Sequence, residues 1–181
     1  MSRASVADAT KRVVPAGIAD VQRIVAEANA RATPVAIEGG NTLTGMGLPG
    51  TAAFVLSTAA LKRVKSYSAA DLTVSVESGM TVRTLRTLLA ETRQFVPIDA
   101  PRAQHATVGG TLAANWLSPR RHLYGRARDF VIGSQIVLAD GTLAHAGGMV
   151  VKNVAGYDMS RLYVGSFGTL GILTSLNFKT L

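Results

Sequence analysis

Val21, Ile24, Val25 and Ala28 recur at three- and four-residue intervals, which puts them on one face of a helix. Thr33-Pro34 stops that run before a short apolar strand at residues 35–37, so a helix followed by a strand is expected to open the chain. Further strands are predicted at 54–56 and 64–67, and at 72–76, where Leu72, Thr73, Val74, Ser75 and Val76 alternate as a half-buried strand does. Thr81 is placed to cap a helix whose apolar face is Val82, Leu85, Leu88 and Leu89. A second helix is predicted over 107–116 through small residues, followed by a basic loop containing Pro119 and Gly125. Beyond it, apolar runs at 130–138 and 143–146 flank Ala139-Asp140-Gly141-Thr142, a hairpin signal, and a strand at 171–178 closes the pattern. The mixture of helix-linked and hairpin-linked strands predicts an α+β fold and not a doubly wound parallel sheet.

One stretch breaks the pattern. Gly156, Gly165, Gly168 and Gly171 interrupt an otherwise apolar segment, three of them at every third position. Glycine inside an element costs roughly 0.5–1 kcal/mol relative to alanine, so either the chain turns tightly there or something lies against it.

Composition removes several kinds of chemistry. The 181 residues include no cysteine, which excludes disulfides, thiolate zinc sites and iron–sulfur clusters bound by this chain. Redox chemistry would need an organic cofactor. His105, His122 and His145 show no metal-ligand spacing, and no metal site is expected. No apolar run is long enough to span a membrane and the first residues lack a signal-peptide core, so a cytoplasmic location is expected. The formal net charge of +8 points to an anionic partner, and only Arg120, Arg121, Arg126 and Arg128 cluster.

Residues 45–50 spell G-x-G-x-x-G, but they lead into a strand-like run and not a helix, so a dinucleotide-binding helix is rejected; no P-loop motif occurs. Ile37-Glu38-Gly39-Gly40-Asn41-Thr42 is more telling, because an apolar strand running into paired glycines lets successive amides converge on an anion. Gly109-Gly110, after Thr107 at a predicted helix start, supplies a second such loop. Two loops of this kind suit a diphosphate-linked cofactor.

The segments "EGGNT", "PIDAP", "ATVGGTLAAN", "YGRARDFVIGSQIVLADG" and "KNVAGYDMSRLYVGSFGTLGILT" occur in the order found in the PCMH-type FAD-binding domain of the vanillyl-alcohol-oxidase-like flavoproteins. Within that superfamily the chain most resembles the FAD-binding subunits of bacterial glycolate oxidases. The resemblance covers nearly the whole chain. It implies two α+β lobes, about 1–100 and 101–181, with FAD between them and the substrate or cap domain absent. It places the pyrophosphate on Gly39, Gly40, Asn41 and Thr42, and the ribityl chain and flavin along Thr107, Gly109, Gly110, Ala113 and Asn115. Ile98 and Asp99, within Pro97-Ile98-Asp99, would approach the cofactor before the second loop, and Ile172 from the closing strand. Gly165, Gly168 and Gly171 resemble the family's G-S-E-G-T-L-G turn, with Phe167 in place of the Glu. Asn41 stands where many members carry the His that attaches FAD covalently, so non-covalent FAD is implied.

The catalytic residues are left unassigned, because the groups that would hold a 2-hydroxy acid belong to the cap domain. By the same resemblance the complete enzyme would oxidise a 2-hydroxy acid. It would work with other glycolate-oxidase-type subunits, including an electron-accepting iron–sulfur subunit, and reach the inner membrane through those partners. Two alternatives stand beside it: a basic module for nucleic acid or an acidic partner built on the arginine cluster, and a docking subunit that keeps the fold without flavin. Only 6% of the chain is aromatic, which gives few stacking platforms for a single strand, and nucleic acid is not an expected partner.

Overall fold

The computed structural model describes residues 11–46, 51–149 and 158–181. Gly156 and the last four positions of the G-x-G-x-x-G match lie outside them.

A short parallel sheet is made of β1 (Arg12–Val13), β2 (Val35–Glu38) and β3 (Phe54–Ser57), in the order β1-β3-β2. Helix α1 (Ile18–Ala30) joins β1 to β2 and buries Val21 and Ala28. It stops at Arg31, and the left-handed Ala32 (φ 49°) turns the chain into Thr33-Pro34. The larger sheet is antiparallel throughout, in the order β4 (Val64–Ser68), β5 (Thr73–Glu77), β8 (Ile172–Lys179), β6 (Val131–Val137), β7 (Leu143–Gly147). The Asp-Gly turn forms as expected: β6 and β7 pair from Val137↔Leu143 outward, with Gly141 at φ 84°.

Helix α2 (Val82–Ala90) is capped by Thr81, whose side chain accepts from the Thr84 amide at 3.1 Å. It and α3 (Val108–Ala113) lay Val82, Leu85, Leu89, Val108 and Leu112 on one face of the large sheet, against Val74, Val76, Leu176 and Phe178. Each such side chain contributes about 1.5–3 kcal/mol on burial. Strands β6 and β8 serve two cores because successive side chains point to opposite faces. Ile136 and Leu173 join this first core, while Val137 and Ile172 join Val21, Leu56 and Leu61 in a second that ties the small sheet and α1 to the large one.

The architecture is α+β, as expected, with four differences of detail. Strand β1 precedes α1, so the chain does not open on a helix; its two residues carry no alternation and are strand only because they pair with β3. Strands β4 and β5, N-terminal to residue 100, belong to the large sheet with the C-terminal strands. Helix α3 ends at Ala113 and not at Trp116, because Asn115 turns left-handed at φ 48°. Two short helices, α4 (Arg121–Tyr124) and α5 (Met159–Tyr163), were not expected, the second capped by Asp158.

Glu77 ends β5 with its side chain only 2% exposed, accepting from the Arg63 amide at 2.8 Å and from Arg63 Nε and Nη2 at 3.0 and 2.8 Å. Burial alone would push this carboxyl up, but the Arg63 hydrogen bonds and charge outweigh it and hold it below its ordinary value. A lowered folded-state pKa means stability that is present above the unfolded carboxylate pKa and lost as pH falls through the folded one. In Arg63→Ala the guanidinium hydrogen bonds and charge are lost while the main-chain amide at position 63 and Lys65 still oppose burial, so the lowering is weakened. The expected result is a Tm well below that of the parent at pH 7 and a gap that narrows as pH falls below about 5, read by thermal melts from pH 3.5 to 7.5. A gap that is constant with pH would remove Glu77 from the account.

Candidate functional site

Glu38 anchors the end of β2. Its side chain pairs with Arg12 at 2.7 Å, and its carbonyl accepts from the Thr58 amide and hydroxyl at 2.9 and 3.2 Å. From this fixed point the chain turns through Gly39, Gly40, Asn41 and Thr42, with Asn41 left-handed at φ 53°. Gly39 and Gly40 are glycine because another segment lies against them. A Cβ on Gly39 would sit 2.0 Å from Thr107 Oγ1, and one on Gly40 would sit 1.7 Å from the carbonyl oxygen of His105. The two glycine loops predicted from sequence are therefore in contact. Among the described residues the amides of Gly40, Asn41 and Thr42 donate no hydrogen bond, while the Thr42 carbonyl accepts from Arg102 Nη2 at 2.9 Å. Free amides beside a guanidinium suit an anion.

Thr107 caps α3, accepting from the Gly110 amide at 3.2 Å, while the amides of Val108 and Gly109 donate to Met80 and Ser78 carbonyls at 2.8 Å each. Gly109 is pressed on Ser78, where a Cβ would fall 2.6 Å from the Ser78 Cβ. Gly110 differs. Among the described residues a Cβ there would meet only Thr107 Oγ1, at 3.0 Å.

The glycines of the apolar C-terminal segment close the other end of α3. The Leu112 and Ala113 carbonyls accept from the Gly165 and Phe167 amides at 3.1 and 2.9 Å. Gly165 and Gly168 have φ of 89° and 79°, and added Cβ atoms would lie 3.3 Å from the Cβ of Asn115 and of Ile37 respectively. The turn therefore links α3 to β2. Gly171 lies against β6, its Cβ position 2.6 Å from Ile136 Cγ2. Phe167, half-exposed, makes its contribution through its main chain.

Ile98, Asp99 and Asn115 line a cleft together with Trp116, Arg121 and Arg126. Asp99 is a hub: it binds Arg86 Nη2 through one oxygen, and Ser118 Oγ and Arg120 Nε through the other, the last at 3.2 Å. Ile98 is buried in the first core, so its side chain is largely spent on packing. The Ile172 side chain lies in the second core, 4% exposed. Arg102, Arg86 and Ser118 escaped sequence reasoning because nothing in the chain order relates them to their partners. Arg120 and Arg128 face Asp99 and Asp129, so half of the basic cluster is engaged internally, which disfavours a nucleic-acid surface. Among the described residues no group of three His, Cys, Asp or Glu is placed to hold a metal, and no helix is long and apolar enough to cross a membrane.

Comparison with known proteins shows the family and the fold. The model of the FAD binding domain family matches residues 9–147. The chain is 37% identical over 150 residues to glycolate oxidase subunit GlcE of Escherichia coli (strain K12), covering 82% of this chain and 43% of that protein. It is 33% identical over 168 residues to glycolate oxidase subunit GlcD of Bacillus subtilis (strain 168), covering 92% and 36%. It is 32% identical over 167 residues to D-2-hydroxyglutarate dehydrogenase of Xanthomonas citri pv. viticola, covering 92% and 35%. The chain thus spans less than half the length of each. Alkyldihydroxyacetonephosphate synthase shares the fold, with a TM-score of 0.78 at 20% identity over 94% of this chain and 31% of that one.

Proposed function

This chain belongs to the FAD-binding-domain family, and from that premise we propose that it is the flavin-holding part of an enzyme that oxidises a 2-hydroxy acid, as glycolate oxidases do. The observation that carries the reading is the set of amides at Gly40, Asn41 and Thr42, free among the described residues, beside Arg102 and against the capped start of α3. Such a donor set fits a diphosphate. The main chain of residues 39–42 would hold the pyrophosphate, and Thr107, Gly109, Gly110, Ala113 and Asn115 would border the ribityl chain and ring, with Asp99 fixing the far wall. When bound, the flavin supplies the capacity to accept a hydride. The chain's own work is to bind and orient: glycines admit the cofactor's approach, and the Asp99 ion pairs keep the segments around residues 98 and 118 in register. Asn41 in the first loop agrees with non-covalent attachment. Relatives named as glycolate oxidase subunits support an assembly with further subunits; that an electron-accepting iron–sulfur subunit is among them, and that the assembly works in the cytoplasm and at the inner membrane through those partners, is proposed on the resemblance alone.

The test is a fluorescence titration of the apo chain with FAD, FMN and riboflavin. FAD is expected to bind at least tenfold more tightly than FMN, since each charge-assisted hydrogen bond contributes about 1.5–3 kcal/mol and FMN offers one phosphate in place of two. Equal affinities would take the diphosphate away from residues 39–42.

A further inference from the structure

We propose that Arg12 is a positioning residue of the diphosphate loop, cancelling the charge of the Glu38 carboxylate at the loop's foot so that an anion can settle on residues 40–42; this deepens the flavin-site reading and rests on it. Glu38 is the last residue of β2 and stands two residues before Gly40, a chain span of at most about 7 Å. Its side chain is only 8% exposed, so water does little to mask its charge. Left alone, such a carboxylate would repel any phosphate drawn to the amides of Gly40, Asn41 and Thr42. At about 8 Å and an effective dielectric of about 40–80, one carboxylate against a doubly charged diphosphate weakens binding roughly five- to thirtyfold.

The order of the small sheet supplies the counter-charge. Arg12 and Ala36 flank the same β3 residue, Val55, and Glu38 follows Ala36 on the same face of β2 because side chains alternate. The Arg12 side chain reaches across β3 and brings Nη2 to 2.7 Å from Glu38 Oε1. That approach lacks hydrogen-bond angles, and Oε1 has no other donor among the described residues, so charge holds the pair. The two partners are unequal. The guanidinium is more than half-exposed and sits on a strand of two residues, so it adds little packing. A buried carboxylate without a counter-charge, by contrast, burdens the fold and disfavours a second anion beside it. Strand β1 thereby has a purpose beyond its own pairing with β3: it carries the cation that neutralises the entrance to the first glycine loop.

The experiment titrates the parent chain, Arg12→Gln, Glu38→Gln and the double variant with FAD, riboflavin and inorganic pyrophosphate, read by flavin fluorescence and by the main-chain amide resonances of residues 40–42. Arg12→Gln is expected to weaken FAD and pyrophosphate fivefold or more, by a factor that shrinks as salt is raised. Glu38→Gln breaks the same ion pair, yet is expected to bind both at least as tightly as the parent, and the double variant to recover parental affinity. Riboflavin, which carries no phosphate, is expected to bind all four chains alike, and thermal melts report the fold separately. No change in Arg12→Gln, or weakening in both single variants alike, overturns the proposal. A double variant as weak as Arg12→Gln overturns it too, since Arg12 would then touch the phosphate itself. Where Arg12→Gln does not fold, Glu38→Gln decides: weaker FAD binding in it overturns the proposal. A parent that binds pyrophosphate but not FAD overturns the flavin reading instead, and the pyrophosphate series still decides the role of Arg12; a parent that binds neither overturns both.

Discussion

Gly40→Val is expected to yield a protein without bound FAD and with a lowered Tm. The new Cβ would stand 1.7 Å from the His105 carbonyl oxygen, a main-chain atom that no rotamer change can remove. Either the loop at 39–42 or the segment before α3 must move, and overpacking of this kind costs typically about 1–3 kcal/mol. For a domain of this size that corresponds to a fall in Tm of about 4–8 °C at a cost near 2 kcal/mol. The flavin suffers more than the fold, because the amides of residues 40–42 converge only while the two loops are in contact. Bound-flavin absorbance after purification and a thermal melt read the two effects separately. A variant that retains FAD at parental occupancy would take the first glycine loop out of the site.

Gly110→Val separates binding from folding. Its Cβ meets Thr107 Oγ1 at 3.0 Å and nothing else within 4 Å among the described residues, so the fold yields by a few tenths of an ångström at one hydroxyl. Replacing glycine within a helix also removes chain entropy from the unfolded state, which offsets part of that cost. The isopropyl group instead fills the open side of α3 assigned to the flavin. FAD affinity is expected to fall a hundredfold or more, about 2.7 kcal/mol, with Tm within about 3 °C of the parent. Full flavin occupancy in this variant would place the ring elsewhere, and a collapse in Tm would show Gly110 to be structural.

Local chemistry made most elements readable in the sequence. Thr81 caps the helix it was expected to cap, α3 starts directly after Thr107 where a helix was expected to begin, and the Asp-Gly turn forms the β6–β7 hairpin, because each of these signals acts within four residues. Helix α5 carried such a signal in Asp158, hidden among the glycines around it. The features that could not be read depend on distant partners. Strand β1 exists through its pairing with β3, and the assignment of β4 and β5 to the large sheet depends on β8, about a hundred residues later. The glycine loops were legible as bare backbone. Their mutual contact was not, since it needs the positions of His105 and Thr107 in space. Arg102 at Thr42 and the Arg86–Asp99–Arg120 hub were equally invisible, because charges in loops declare no partner.

The large sheet places β8 between β5 and β6, so its middle is the part made last. On a ribosome, β4–β5 and β6–β7 can each form a hairpin as they emerge, yet neither can join the other until residues 172–179 are synthesised. The β5–β8 register spans about a hundred residues, and contacts of that separation form slowly. The turn at 165–168 that holds the end of α3 is also made only just before this strand. A cofactor held as proposed could therefore be captured only after residues 165–179 have emerged. Until then the apolar faces of two unjoined hairpins are open to chaperones and to aggregation.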